Sequence, residues 1–132
     1  MAEQDAWKQA LRRLIADFYT SDIRELQRLL IRNDRSIVRG YTAIADDIDG
    51  ETPVRFCALG YLIHRQSPAF TASAIEMKFY KLGNFDDRTD FQRFFDAPAF
   101  GDERKTKRKV IFATLADELG LIIQEREENG HD

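Results

Sequence analysis

One cysteine, Cys57, and two histidines, His64 and His131, are all the chain offers of the residues that most often ligate metals or act as nucleophile and base. A lone cysteine forms no internal disulfide, which fits a reducing cytoplasm. The same scarcity leaves no zinc spacing. Long apolar runs are missing too: no stretch approaches the roughly 18 to 20 residues of a membrane span, so no membrane partner is expected. The opening MAEQDAWKQALRRL carries both charge signs and no apolar signal core, so export is not expected. Neither the glycine-rich nucleotide motifs GxGxxG and GxxxxGKS/T nor the hydrolase motif GxSxG occurs. No cofactor, metal or catalytic residue is therefore assigned.

What is present describes a soluble, charged, globular chain. Its 132 residues suit one domain, and its 33% charged content exceeds the typical ~25%. Ten phenylalanines and one tryptophan supply large core side chains, and the net charge is only −3. The distribution of charge is more informative than its sum.

Apolar periodicity points to an all-α domain spanning residues 1–132, with five or six helices. In residues 3–19, Trp7, Leu11, Leu14, Ile15 and Phe18 share one helical face. Thr20 to Asp22 read as a cap and restart, and Ile23, Leu26, Leu29 and Leu30 make a second face over 22–33, pairing antiparallel with the first. Thr52 and Pro53 read as the start of a central helix, 53–65, apolar on nearly all sides. Ser67-Pro68 repeats that start signal, and Gly83 suits a left-handed stop. Residues 75–82 also alternate like a strand, an alternative left open. Thr89 and Gln92 suggest a capping box for a helix carrying Phe91, Phe94 and Phe95. The last helix is expected from Thr106 to about Leu119, with Ile111, Phe112, Leu115 and Leu119 inward. A broken continuation or short strand follows at 121–126, then an acidic tail that frays from about residue 126.

Each candidate for chemistry has a plainer competitor. Cys57 and His64 lie seven residues apart on the expected helix, about 10 Å along its axis, too far to pair. Cys57 and Gly60 instead read as a small face against which another backbone can approach closely. The run ADDIDG resembles a calcium loop, but Ala45 and Phe56 stand at its first and twelfth positions, where a carboxylate and a bidentate glutamate are needed. An acidic turn is the simpler reading. Scattered carboxylates leave open a small carboxylate-dependent enzyme.

Two basic features remain. Arg24, Arg28, Arg32, Arg35 and Arg39 recur at helical spacing, so a helix extended through Arg39 would present a stripe able to follow phosphates or bind an acidic protein. The competitor is a solvated face paired with Glu25 and Asp34. The run ERKTKRK sets Arg104, Lys105, Lys107, Arg108 and Lys109 against Glu103, a local sum of 5 − 1 = +4. At a helix start these cations make an anion site or need acidic neighbours. The segment 117–132 could supply them, with Asp117, Glu118, Glu125, Glu127, Glu128 and Asp132 against Arg126, within the chain or between two copies.

The order of short motifs resembles a family of small, uncharacterised bacterial and phage proteins with A-x-D-x-x-G, then C-A-x-G-A-L, then N-D and T-x-x-E/D-V. Here Ala45, Asp47 and Gly50 match the first, Cys57, Ala58, Gly60 and Leu62 the second, and Asp102, Thr106 and Val110 the last two. Tyr61, Gly101 and Lys109 depart from the pattern. The resemblance implies a mainly helical fold and no activity, and suggests a phage or mobile-element accessory factor. The expectation is a non-enzymatic, cytoplasmic interaction or regulatory protein. Its partner is a macromolecule, a protein before a nucleic acid, met through Arg24, Arg28, Arg32, Arg35, Lys105, Lys107, Arg108 and Lys109.

Overall fold

Trp7, Ala10, Leu11 and Leu14 recur at three- and four-residue steps, and their face is buried in helix α1, Ala6–Leu14. The computed structural model describes residues 5–98 and 100–130. Ile15 and Phe18 continue the buried face through a turn, so the helix itself is shorter than the periodicity predicts. Helix α2, Thr20–Ile31, buries Ile23, Leu26, Leu29 and Leu30. Thr20 lies inside the helix, and the capping position is Tyr19, which offers no side-chain bond. A Schellman turn closes α2: Asn33, at φ 53°, donates to Leu30 O at 3.1 Å, and Asp34 donates to Leu29 O at 3.0 Å.

The expected pairing of α1 with α2 is not the main contact of either helix. α1 packs on α5, Phe85–Phe95, and α2 packs on α6, Glu103–Glu128. Short loops favour antiparallel neighbours, but here larger apolar faces arriving later in the chain win.

The central helix expected over 53–65 is two elements. Pro53–Phe56 is strand β2, paired antiparallel with β1, Ala43–Ala45, and helix α3 follows at Ala58–Gln66. Pro53 is the first residue of its strand, where a missing N–H costs no more than at the first turn of a helix. The connecting loop is tied by its acids: Asp46 Oδ1 accepts from Ile48 N at 2.7 Å, and Asp49 Oδ1 accepts from Glu51 N and Thr52 N at 2.8 Å. On its other side Phe56 bonds the 36–38 segment, donating to Ser36 O at 2.8 Å and accepting from Val38 N at 2.7 Å. The α3 portion is buried from Ala58 through Ile63, as the all-round apolar pattern implies.

Thr71, rather than Ser67, caps helix α4, Ala72–Tyr80, accepting from Ala74 N at 3.1 Å; Ser67 closes α3. The strand alternative at 75–82 is thus overturned: residues 72–80 are helical, and a turn leads to Gly83 at φ 55°. α5 begins at Asn84, whose Oδ1 accepts from Asp87 N at 2.8 Å, five residues ahead of the expected capping box. α6 is continuous over 26 residues, which overturns both the start at Thr106 and the strand at 121–126. It stays helical past residue 126, where the tail was expected to fray, and buries Arg126. Phe91, Phe95 and Phe112 stack successively at 5.6 and 5.7 Å between centroids, joining α5 to α6. Among the described residues the result is one mainly α-helical domain of six helices with a two-stranded ribbon, closed around one hydrophobic core.

Candidate binding surface

The five-arginine stripe is not assembled. α2 ends at Ile31, and the left-handed Asn33 turns the chain away before Arg35 and Arg39. Arg24 pairs with Glu127, Arg28 with Glu25, and Arg32 with Asp34 at 2.9 Å. Arg39 donates to the carbonyls of Phe95, at 2.6 Å, and Ala97. Arg35 is exposed and has no ion pair among the described residues.

Among the described residues, no acid near the C-terminus forms an ion pair with the basic cluster either. Arg12 takes Glu118 at 2.5 Å and Glu125 at 2.8 Å, and Glu127 goes to Arg24. His131 and Asp132 lie outside the described residues. Pairing of the acidic segment with 104–109 therefore loses three of its acids to arginines of α1 and α2.

That leaves the start of α6. Its first buried residue is Ile111, so residues 103–110, about 12 Å of helix, precede the part that enters the core. Arg104, Lys105, Lys107 and Lys109 are exposed and have no ion pair among the described residues. Asp102 provides no side-chain cap, so the unsatisfied N–H groups of the helix end add to their positive potential. Arg108 is the exception: it is half-buried, donates to Asn33 Oδ1 at 2.7 Å and Asp34 O at 2.9 Å, and lies 4.2 Å from the Phe112 ring centroid. Burial, then the charge of Arg39, lowers its pKa from the ordinary arginine value.

Apolar surface adjoins these cations. Phe100 is 80% exposed and Val110 56%. A groove of about 670 Å³ between α1, α5 and α6 is lined by Trp7, Phe94, Val110 and Ile111, with Arg93 and Lys107 among its charged groups. Trp7 and Phe94 stack at 3.7 Å between centroids, nearly parallel. Sequence reading missed this groove; its signal was Val110, an apolar residue one turn after Lys107 on the expected helix.

The other candidates are resolved by local geometry. Cys57 is the N-cap of α3, its Sγ accepting from Gly60 N at 3.3 Å, and not a mid-helix residue. A helix start favours a thiolate, yet burial dominates and pushes the thiol up to about 12. His64 stacks on Phe56 at 4.7 Å; its Nδ1 is buried without a hydrogen-bond partner among the described residues, and burial lowers its pKa. Asp46 and Asp49 are spent on loop N–H groups, and no cluster of three ligand-type side chains suited to a metal occurs among the described residues. Glu76 and Asp96 do line a common cavity, but at about 150 Å³ it is smaller than the roughly 300 Å³ of the smallest usual ligand pockets. No family model, curated protein or solved structure matches the chain.

Proposed function

We propose that the chain is a non-enzymatic binding protein of the cytoplasm, whose basic, apolar-flanked surface at the start of α6 captures an acidic segment of a partner protein. One observation carries this reading. Four exposed cations, Arg104, Lys105, Lys107 and Lys109, have no ion pair among the described residues and surround the start of α6, where Lys107 lines the apolar groove. A nucleic-acid backbone asks for cations alone. Phe100, Val110 and the groove beside Trp7 and Phe94 offer apolar contacts that a duplex backbone does not use, whereas an amphipathic helix with acidic and apolar residues uses both.

Trp7 is the sole tryptophan and lines the groove, so it reports on occupancy. A synthetic helical peptide rich in Glu and Leu is titrated against the protein, with a DNA duplex of equal charge in parallel. The peptide is expected to shift Trp7 emission saturably. Lys107→Glu combined with Val110→Asp is expected to weaken binding roughly 100-fold, the loss of one charge-assisted and one apolar contact. Duplex binding that falls steeply with salt, with no response to the peptide, would replace this reading with the nucleic-acid one. No binding of either would remove both.

A further inference from the structure

Six arginines of the described chain, Arg12, Arg13, Arg24, Arg28, Arg32 and Arg65, are paired with carboxylates. Arg39 and Arg108 are held differently. Arg39 is anchored on the carbonyls of Phe95 and Ala97, at the end of α5. Arg108 is anchored on the Asn33 side chain and the Asp34 carbonyl, at the end of α2, and packs its plane near Phe112. Neutral anchors fix the direction of each guanidinium without cancelling its charge. A guanidinium has five N–H groups; each of these spends two and keeps three.

Arg104 stands one helical turn before Arg108, and its side chain has no hydrogen-bond or ion-pair partner among the described residues. All three arginines line one groove of about 420 Å³, together with Gly40 and Asp96. The Asp96 carboxylate is committed to Gly40 N at 2.8 Å. Counting it as fully charged, the groove holds 3 − 1 = +2. Two anchored like charges that line one groove and repel each other, with a third on an unanchored side chain, cost energy when the groove is empty and are relieved by an anion.

We infer that this groove binds a phosphate group, clamped by the fixed forks of Arg39 and Arg108 and closed by Arg104. Its volume exceeds that of the bare ion and admits the group to which a phosphate monoester is attached. The site lies about a quarter turn round α6 from the apolar groove beside Trp7, and its occupancy is read without any protein partner. It therefore stands or falls independently of the reading above.

The test is NMR of the arginine Nε–H groups during titration with inorganic phosphate and, separately, phosphoserine, each at constant ionic strength against chloride. Saturable shifts are expected at Arg39 and Arg108. Arg104→Ala breaks no hydrogen bond of the fold and is expected to raise the half-saturation concentration roughly tenfold; Arg104→Glu is expected to abolish the response. Tighter binding of phosphoserine identifies a carried phosphate, and equal or weaker binding a free one; either supports the site. Shifts that do not saturate, that chloride reproduces, or that survive Arg104→Glu unchanged would overturn it.

Discussion

Arg13 meets Asp87 with two parallel bonds, Nε to Oδ2 at 2.9 Å and Nη2 to Oδ1 at 2.8 Å, tying α1 to the first turn of α5. The Asp87 side chain is 5% exposed and that of Arg13 58%, so the carboxylate is sheltered and its partner is not. The guanidinium holds Asp87 below the usual carboxylate range. A depressed native pKa contributes stability that is present above the unfolded value and lost as pH falls through the native one. Asp87→Asn is therefore expected to cost about 1 kcal/mol at neutral pH, between an exposed and a buried pair, and to flatten the acid limb of stability. Urea unfolding at a series of pH values checks this. An acid limb of the variant parallel to that of the parent would refute it.

Asp96 has the opposite sign. Burial raises its pKa, and the bond from Gly40 N and the charge of Arg39 only partly offset that. A carboxyl whose native pKa is raised ionises more easily in the unfolded chain, so stability falls as pH rises from the unfolded value through the native one. Asp96→Asn keeps an oxygen for Gly40 N and removes the half-buried charge. It is expected to be as stable as the parent at low pH and more stable at neutral pH; a loss of stability at neutral pH would contradict this account.

The apolar faces were legible in the sequence because burial follows periodicity. Trp7, Leu11 and Leu14, then Ile23, Leu26 and Leu30, then Ile111, Phe112, Leu115 and Leu119 are all buried at the expected spacing. The ribbon was not legible. Ala43–Ala45 is too short to show alternation, and β2 exists through bonds to β1 and to Ser36 that no local pattern encodes. Thr52-Pro53 and Ser67-Pro68 carried strong start signals, yet Cys57 and Thr71 hold the caps. Lys105, Lys107 and Lys109 could be read as one exposed cluster because they are adjacent in sequence. The approach of Arg39 to Arg108 depends on the endings of α2 and α5, and only the fold reveals it.

Gly60 was legible as a close-approach residue, and the reason is specific. A Cβ built there overlaps the carbonyl oxygen of Thr42 and lies 3.1 Å from its carbon, and both contacts are backbone, which cannot swing aside. Thr42 O also accepts from Cys57 N at 3.1 Å, so displacing it disturbs the start of α3. Gly60→Ala is expected to destabilise by about 3 kcal/mol, at the upper end of overpacking effects and despite the better helix propensity of alanine. A thermal midpoint unchanged from the parent would show that the 40–43 segment yields freely.

Cys57 should be inert while the protein is folded. With its thiol near 12, the thiolate fraction at pH 8 is about 10⁻⁴, and the residue is only 8% exposed besides. A thiol reagent such as a disulfide dye is expected to react at the rate of unfolding and to become fast only in denaturant. Rapid labelling of the native protein, with the helical circular dichroism intact, would overturn the assignment of Cys57 as a buried cap.

Arg126 decides where the domain ends. Its Nη1 donates to Phe18 O at 2.7 Å and Thr20 Oγ1 at 3.2 Å, and its Nη2 to Ile15 O at 2.8 Å. These groups lie where α1 gives way to α2, and two are carbonyls that follow the last turn of α1. A buried guanidinium thus satisfies backbone that the turn leaves open. Bonds from a charged donor contribute more than neutral ones, and removing this donor strands several buried acceptors at once. Arg126→Ala is expected to cost about 3 kcal/mol, and ending the chain at residue 125 at least as much. Ending it at residue 130 keeps Arg126 with all its bonds and is expected to cost less than about 0.5 kcal/mol. Denaturant unfolding of the three variants checks the order. Equal stabilities for chains ending at 125 and 130 would return Arg126 to a frayed tail.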